Sequence, residues 1–157
     1  MRFRLIPALV LVMSAASACA QTADPSYATA AEVAAIVSNA KTKVGPDKPL
    51  FNTPTLHAGT YTVVTEYHNG VGLASVHDTE TEFMYVVDGE ATFVMGGKLV
   101  EAKRTNPTNQ TGTSIEGGAT RQAKKGDVIL VPAGAPHFWS AVQAPITVIT
   151  MHVPAAK

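Results

Sequence analysis

The sequence lacks the features that mark several large classes of protein. It has a single cysteine, Cys19, so disulfides within the chain are excluded. Its 12 basic side chains balance its 12 acidic ones and form no basic patch, so nucleic-acid binding has no support. The apolar run from Leu5 to about Ala18 is too short to span a bilayer, which takes about 20 residues. The hydrophobic content of 46% nevertheless suffices for a globular core.

Residues 1–20 have the parts of a secretory signal peptide: a basic head, an apolar run and small residues after it. Cleavage after Ala20 would give a mature chain from Gln21, with 137 of the 157 residues and, without Arg2 and Arg4, 10 basic and 12 acidic side chains (net −2). Alternatively, the sequence ASAC, which ends at Cys19, resembles a bacterial lipobox, and a lipid there would tie the protein to a membrane. We favour simple cleavage, which predicts a periplasmic or secreted protein.

Residues 21–49 are predicted to form a helical arm. The alanine-rich segment 24–43 places its apolar residues roughly on a helical repeat. Pro25 suits a first helical turn, and Gly45-Pro46 closes the segment. We assign no chemistry to this arm, which is interpreted as a packing element or a spacer.

Residues 50–157 are predicted to form an all-β sandwich or barrel domain. Short β-branched or aromatic segments alternate there with glycine-bearing turns at near-regular spacing. Asp88-Gly89 predicts a hairpin, and the polar residues 103–118 predict a long surface loop. The predicted strands are TYTVVTEYH, GLASVH, EFMYVV, EATFVM, ATRQA, DVILVP and ITVITMHV.

A histidine and a glutamate flank the polar segment 78–81. Glu82 shares a strand face with Met84 and Val86, two residues typical of an interior, so its carboxylate is expected inside as well. A buried carboxylate is costly unless a partner offsets the charge. A cation held together with His77 would be such a partner.

A second histidine follows a stiff turn. Val128 to Val131 form an apolar strand, and residues 132–136 (PAGAP) then restrain the backbone through their two prolines. His137 and Trp139 emerge on one face of the next strand. A stiff turn before a ligand reduces the entropy lost on ordering it, as a binding site requires.

The pattern Gly126-x5-Pro132-x-Gly134-x2-His137 resembles the second motif of the cupin superfamily as far as its histidine, although Ala141 stands where that motif often has asparagine. The first cupin motif, His-x-His-x(3,4)-Glu-x6-Gly, is matched by His77, Glu82 and Gly89. Its first histidine is replaced by Ser75, and the glycine that usually precedes it is one place out of register, at Gly70.

The resemblance implies a double-stranded β-helix, or jelly-roll barrel, with a divalent metal between its sheets. It implies His77, Glu82 and His137 as ligands, with the place of Ser75 empty or weakly filled. Two histidines and a carboxylate are typical of non-haem Fe(II) sites, but the same donors accept Mn, Ni, Co or Zn. The resemblance also implies a homodimer.

Simpler interpretations remain open at this point. His77 and Glu82 could form a partly solvated ion pair, and a different turn would bring Glu80 into the place of Glu82. A lapsed metal site is a further alternative.

The remaining candidate residues are given other roles. Met84, Phe93, Met95 and Trp139 are predicted to pack the interior. His57, His68 and His152 are predicted to be surface or edge residues. Lys103, Arg104 and Arg121 are interpreted as solvated charges or as residues that steer an anionic substrate.

These observations predict an exported, metal-binding cupin that acts on or binds a small organic molecule in its barrel. As an enzyme it would be dioxygenase-like, or a lyase or isomerase, and no catalytic residue is assigned. The alternatives are a non-enzymatic protein that binds or senses a small molecule and a barrel with a vestigial site. No serine has the histidine and aspartate pattern of a hydrolytic triad.

Overall fold

The computed structural model describes residues 26–156, so the predicted signal peptide lies outside the described residues. No helix in this part of the chain combines the length and the apolar character that a membrane crossing needs. The described elements are α1 (Ala30–Lys41), β1 (Leu50–Ala58), β2 (Tyr61–His68), β3 (Ala74–His77), β4 (Glu80–Met95), β5 (Lys98–Val100), β6 (Lys103–Asn106), β7 (Asn109–Gly112), β8 (Ser114–Glu116), β9 (Ala119–Lys124), β10 (Val128–Val131) and β11 (His137–Pro154).

Helix α1 begins later than the alanine-rich segment that predicts it. Thr29 is its N-cap, and the Glu32 backbone N–H donates to the Thr29 hydroxyl at 3.2 Å. The Glu32 carboxylate in turn accepts from the Thr29 backbone N–H at 2.7 Å. This reciprocal pair satisfies N–H groups that a helix start leaves free, and so fixes the first turn at Ala30. The helix lies against β1 and β2, with Ala40 buried.

The strands form the predicted all-β, double-stranded β-helix. The main sheet has the order β1-β2-β11-β3-β7-β6, while β4 pairs with β11, β9 and β10. Strands β5 and β8 form a separate pair. The long antiparallel pair of β4 and β11 runs through the middle of the barrel and joins its two sides. The buried core lies along this pair and comprises Met84, Val86, Ala91, Phe93, Ala123, Val131, Trp139, Ile146 and Val148.

The hairpin predicted at Asp88-Gly89 is wrong. Strand β4 continues through this dipeptide, and both of its halves pair with β11, whose register shifts between Ala144 and Thr147. Gly89 has φ +95°, and a Cβ there would overlap the carbonyl oxygen of Pro145. The glycine therefore bends two paired strands together around the barrel and does not reverse the chain.

The long loop predicted for residues 103–118 is also wrong. This segment contains β6, β7 and β8, and β7 pairs with β3. All four residues of β6 are exposed, so the strand shows no apolar alternation that sequence reasoning could use. Strand β1 was not predicted either, because Pro54 interrupts it at the point where its register with β2 shifts.

Candidate metal centre

Three strands bring four ionisable side chains to one place inside the barrel. His77 ends β3, Glu82 lies near the start of β4, and β11 contributes His137 at its start and His152 near its end. The strand pairing places these residues side by side, because His152 lies directly opposite Glu82 and His137 lies directly opposite Ser75. Residues opposite each other in an antiparallel pair have their Cβ atoms about 4.5–5.5 Å apart.

The carboxylate of Glu82 is the common point of the cluster. The Nε2 atom of His137 lies 3.0 Å and that of His77 3.7 Å from Glu82 Oε2. The Nε2 atom of His152 lies 3.6 Å from Glu82 Oε1. Ligand atoms of His77, Glu82 and His152 all lie within 4.8 Å of one another, a spacing at which one metal ion can contact all three. Glu82 itself is 3% exposed.

Two of the imidazoles are oriented by their other ring nitrogen. His77 Nδ1 lies 3.1 Å from the side-chain oxygen of Asn109, and His137 Nδ1 lies 3.1 Å from the carbonyl oxygen of Ala135. Because both of these oxygens are acceptors, each Nδ1 carries the hydrogen and donates it. In the neutral form, each ring would present an Nε2 lone pair to Glu82, as metal-binding histidines do.

The turn predicted to be stiff is tied to the strand that carries His77. The backbone N–H of Gly134 donates to the His77 carbonyl oxygen at 2.8 Å, and Gly134 has φ +77°, which favours glycine. The segments that hold His77 and His137 are therefore joined directly by a backbone hydrogen bond.

The electrostatics of the cluster favour a cation. Glu82 Oε2 is buried without a hydrogen-bond partner of good geometry, although His137 Nε2 lies 3.0 Å away. With the Nδ1 hydrogen committed to Ala135, the Nε2 lone pair of a neutral His137 faces the carboxylate. Two electron-rich atoms at this distance repel unless a proton or a metal ion lies between them. The donor set therefore fits a divalent metal.

The local pKa shifts of Glu82 and His77 also favour metal binding. Burial raises the pKa of Glu82, but the nearby imidazoles of His137, His152 and His77, which stabilise the anionic carboxylate when they are protonated, outweigh it and leave the pKa below its ordinary value. Burial and the neighbouring His152 lower the pKa of His77, against the opposing effects of Asn109 and Glu82. Both shifts favour the forms that bind a metal, an anionic carboxylate and a neutral imidazole.

The sequence prediction brought together three of these residues and missed the fourth. His77 and His137 both lie close to Glu82, but the group spaced to hold a metal is His77, Glu82 and His152, so the role of His77, Glu82 and His137 as ligands stays a prediction. The assignment of His152 to the surface or an edge is wrong in that His152 lies in the cluster, opposite Glu82, although 29% of its side chain is exposed. Alternation along β11 could have placed His152 on the inner face, because Ile146, Val148 and Thr150 on the same face of the strand are all buried.

A cavity of about 260 Å³ adjoins the cluster. It is walled by Met84, Phe93 and Trp139, and the Phe93 and Trp139 rings pack 4.8 Å apart. Ser75 also lines the cavity and fills no evident ligand position of its own.

Two other histidines were predicted at the surface or an edge. His68 is instead 6% exposed and lines this cavity, whereas His57 is exposed as expected. The whole lining is Leu50, Asn52, Glu66, His68, Gly72, Leu73, Ser75, His77, Glu82, Met84, Phe93, His137, Phe138, Trp139 and His152.

The basic residues considered for substrate steering lie elsewhere. Arg104 donates to Asp78 at 2.7 Å and to the Pro107 carbonyl oxygen at 3.0 Å, which fastens the β6–β7 turn to β3. Lys103 and Arg121 are exposed. Among the described residues that line the cavity there is no lysine or arginine. Lys103 and Arg121 therefore fit the solvated-charge interpretation, whereas Arg104 is paired with Asp78.

Comparison with known proteins gives a family and solved structures of similar fold. A family model described as "Cupin" matches residues 30–155. The solved structure of hydroquinone 1,2-dioxygenase PnpCD in complex with Cd²⁺ and 4-hydroxybenzonitrile is similar, with TM-score 0.50 and 21% identity, over 65% of this chain and 63% of that one. The structure of Fe(II) HppE aligns with TM-score 0.50 and 13% identity, over 69% and 53%. The chain thus spans less than two thirds of each. No curated protein gave a significant match.

Proposed function

The chain belongs to the cupin family, and we propose that it binds one divalent metal ion and uses it to transform a small organic molecule in the barrel. His77, Glu82 and His137 hold the ion, and His152 is a fourth donor. When bound, the metal supplies a Lewis acid or an oxygen-binding centre. The reaction would be dioxygenase-like oxidation, or lyase or isomerase chemistry.

One observation carries the proposal: three imidazole nitrogens converge within 3.7 Å of the carboxylate of Glu82. One oxygen of that carboxylate is buried and has no hydrogen-bond partner. Native proteins rarely leave such an atom unpaired, because the loss costs about 1–3 kcal/mol or more for a charged group. A metal ion at this point satisfies the carboxylate and the imidazole lone pairs together.

His152 supports an intact site over a vestigial one. The family pattern lacks its first histidine here, and Ser75 provides no nitrogen in its place. His152 approaches Glu82 from the opposite strand and returns the number of candidate donors to four. The chain's own residues then do three things: they hold the donors in the neutral or anionic form that binds a metal, wall the cavity with apolar rings, and restrict what can enter.

Metal analysis tests the proposal directly. The purified protein should contain about one equivalent of metal, and His137→Ala should abolish it. His57→Ala is the matched control, because His57 is exposed and its ring is hydrogen-bonded to Thr62. A metal-free wild type would overturn the proposal.

Oxygen uptake by Fe(II)-loaded protein with phenols, thiols and sugar acids tests the reaction class. Ligand-induced thermal shifts without turnover would indicate a binding protein.

We also propose that the protein is exported after removal of residues 1–20 and that it forms a homodimer. The basic head and short apolar run of the N-terminal segment support export. Tyr85, Val128 and Leu130 support a dimer, since they form an exposed apolar row on β4 and β10, with Val128 63% and Leu130 60% exposed. Light scattering should give twice the chain mass for the wild type and the chain mass for Leu130→Glu.

A further inference from the structure

A second carboxylate lines the cavity, at some distance from the metal centre. Glu66 and His68 lie two residues apart on β2, so both face the cavity side of the strand. Glu66 lies opposite Val148 on β11, whereas Glu82 lies opposite His152, four residues further along the same strand. Four residues of a strand span about 13 Å. The cavity therefore has a metal end at Glu82 and a separate carboxylate end at Glu66.

One oxygen of the Glu66 carboxylate is available to a ligand. His68 Nε2 lies 3.1 Å from Glu66 Oε2 and donates to it, since a carboxylate only accepts hydrogen bonds. The other oxygen, Oε1, has no hydrogen-bond partner among the described residues and is not buried. The Glu66 side chain is 18% exposed and lines the cavity. Oε1 can therefore accept a hydrogen bond from a molecule bound there.

The charge of Glu66 is not neutralised by a neighbouring side chain. Within residues 26–156 its ion-pair partner is His68 alone, and the cavity lining in this range contains no lysine or arginine. His68 Nδ1 is buried without a partner, so a second N–H on this ring would have no acceptor. His68 therefore stays neutral and leaves the negative charge of Glu66 uncompensated. A largely buried carboxylate in this state favours a cation as its partner.

The groups around Glu66 suit an ammonium ion on an apolar body. Asn52 lies directly opposite Glu66 on β1 and also lines the cavity, so its amide oxygen is a second acceptor. A protonated primary amine has three N–H donors, whereas a hydroxyl group has one. Phe93 and Trp139 form an aromatic wall, which suits an apolar group and attracts organic cations. The volume of about 260 Å³ is below the range of about 300–1,000 Å³ typical of drug-sized ligands, so the ligand is small.

We propose that Glu66 makes this cavity selective for small organic cations by binding the ammonium group of an amine. This rests on the proposed function for the cavity as the substrate site, and it names the substrate class. The ammonium group donates to Glu66 Oε1 and to Asn52, and the apolar part of the amine packs against Phe93 and Trp139. A carboxylate on the ligand is rejected at this end, because two like charges repel in a site of low dielectric.

The test uses three probes of similar size and different charge: benzylamine, benzyl alcohol and benzoate. Each is titrated calorimetrically into wild type as purified and into chelator-treated wild type, in which no metal can coordinate the probe. Benzylamine should bind the chelator-treated protein about tenfold more tightly than benzyl alcohol, the difference between a charge-assisted and a neutral hydrogen bond, and benzoate should bind most weakly. Glu66→Gln should lose the preference for benzylamine and keep its affinity for benzyl alcohol. Glu90→Gln is the matched control, because it removes the same charge from an exposed residue outside the lining and should behave as wild type.

Each result decides the matter. The proposal is overturned if chelator-treated wild type binds none of the probes, binds benzyl alcohol or benzoate as tightly as benzylamine, or shows the same preference as folded Glu66→Gln. If Glu66→Gln does not fold, Glu82→Gln decides: a preference that survives in this variant supports Glu66, and one that disappears belongs to Glu82. The chelator-treated samples separate this test from the metal proposal. Absence of metal in purified wild type contradicts the metal centre, whereas absence of the preference for benzylamine contradicts only the role of Glu66.

Discussion

Glu82 and His152 lie directly opposite each other on β4 and β11, with His152 Nε2 3.6 Å from Glu82 Oε1. His152 Nδ1 also faces Glu80 Oε2 at 3.4 Å, although without good hydrogen-bond geometry. The cross-strand register alone brings His152 to the buried carboxylate. This placement adds a candidate donor that the sequence motifs do not contain.

His152→Ala should weaken metal binding by more than about 10-fold, since loss of a group that only orients a ligand already costs about 10–100-fold. The affinity is measured by competition with a chromophoric chelator. His57→Ala should leave the affinity unchanged. An affinity for His152→Ala equal to that of wild type would show that His152 is not a donor.

Asn109→Ala should also weaken metal binding by about 10–100-fold, because His77 Nδ1 loses the acceptor that fixes its tautomer and ring orientation. Asn109→Asp retains an oxygen acceptor and should stay close to wild type in the same chelator competition. Equal losses in the two variants would mean that residue 109 acts on the fold of β7 and not on His77.

Removal of the metal should lower the thermal stability of the wild type. A ligand at 100 times its Kd stabilises the folded state by about 2.7 kcal/mol, which for a domain of this size is a shift in Tm of about 10 °C. Chelator should therefore lower the Tm of wild type and leave that of His137→Ala unchanged. Scanning calorimetry of both proteins checks this, and an equal response of the two would contradict it.

Gly89→Ala should destabilise the protein more than Gly126→Ala. The two glycines have nearly the same positive φ, +95° and +93°, so the backbone strain of about 1–3 kcal/mol applies to both. A Cβ at Gly126 meets nothing within 4 Å, whereas one at Gly89 overlaps the backbone of Pro145 and Ile146. Overpacking should add about 1–3 kcal/mol at Gly89. Urea unfolding of the metal-free variants measures the difference, and equal losses would refute the close approach.

The mature protein should begin at Gln21. Intact-mass analysis of protein taken from the periplasm or medium should give the mass of residues 21–157. A mass that includes Cys19 with attached lipid would support the lipobox instead, and an uncleaved chain would contradict export by either route.

The sequence predicted the all-β fold and three residues of the centre because both depend on local patterns. Glycine-bearing turns separate β-branched segments, and the two motifs carry His77, Glu82 and His137 at fixed spacing. Alternation along β11 could also have placed His152 inside, had it been applied to the last strand. Asn109 could not be found in this way, since its position depends on the pairing of β3 with β7, in a polar hairpin whose other strand, β6, is fully exposed.

Strand β11 starts at His137 and carries His152 two residues before its end, with a bend between them. Both donors reach Glu82 only after the whole of this strand has docked along β4. An incompletely folded chain therefore cannot assemble the proposed centre, and uptake of the proposed metal would report that the last strand has docked along its full length.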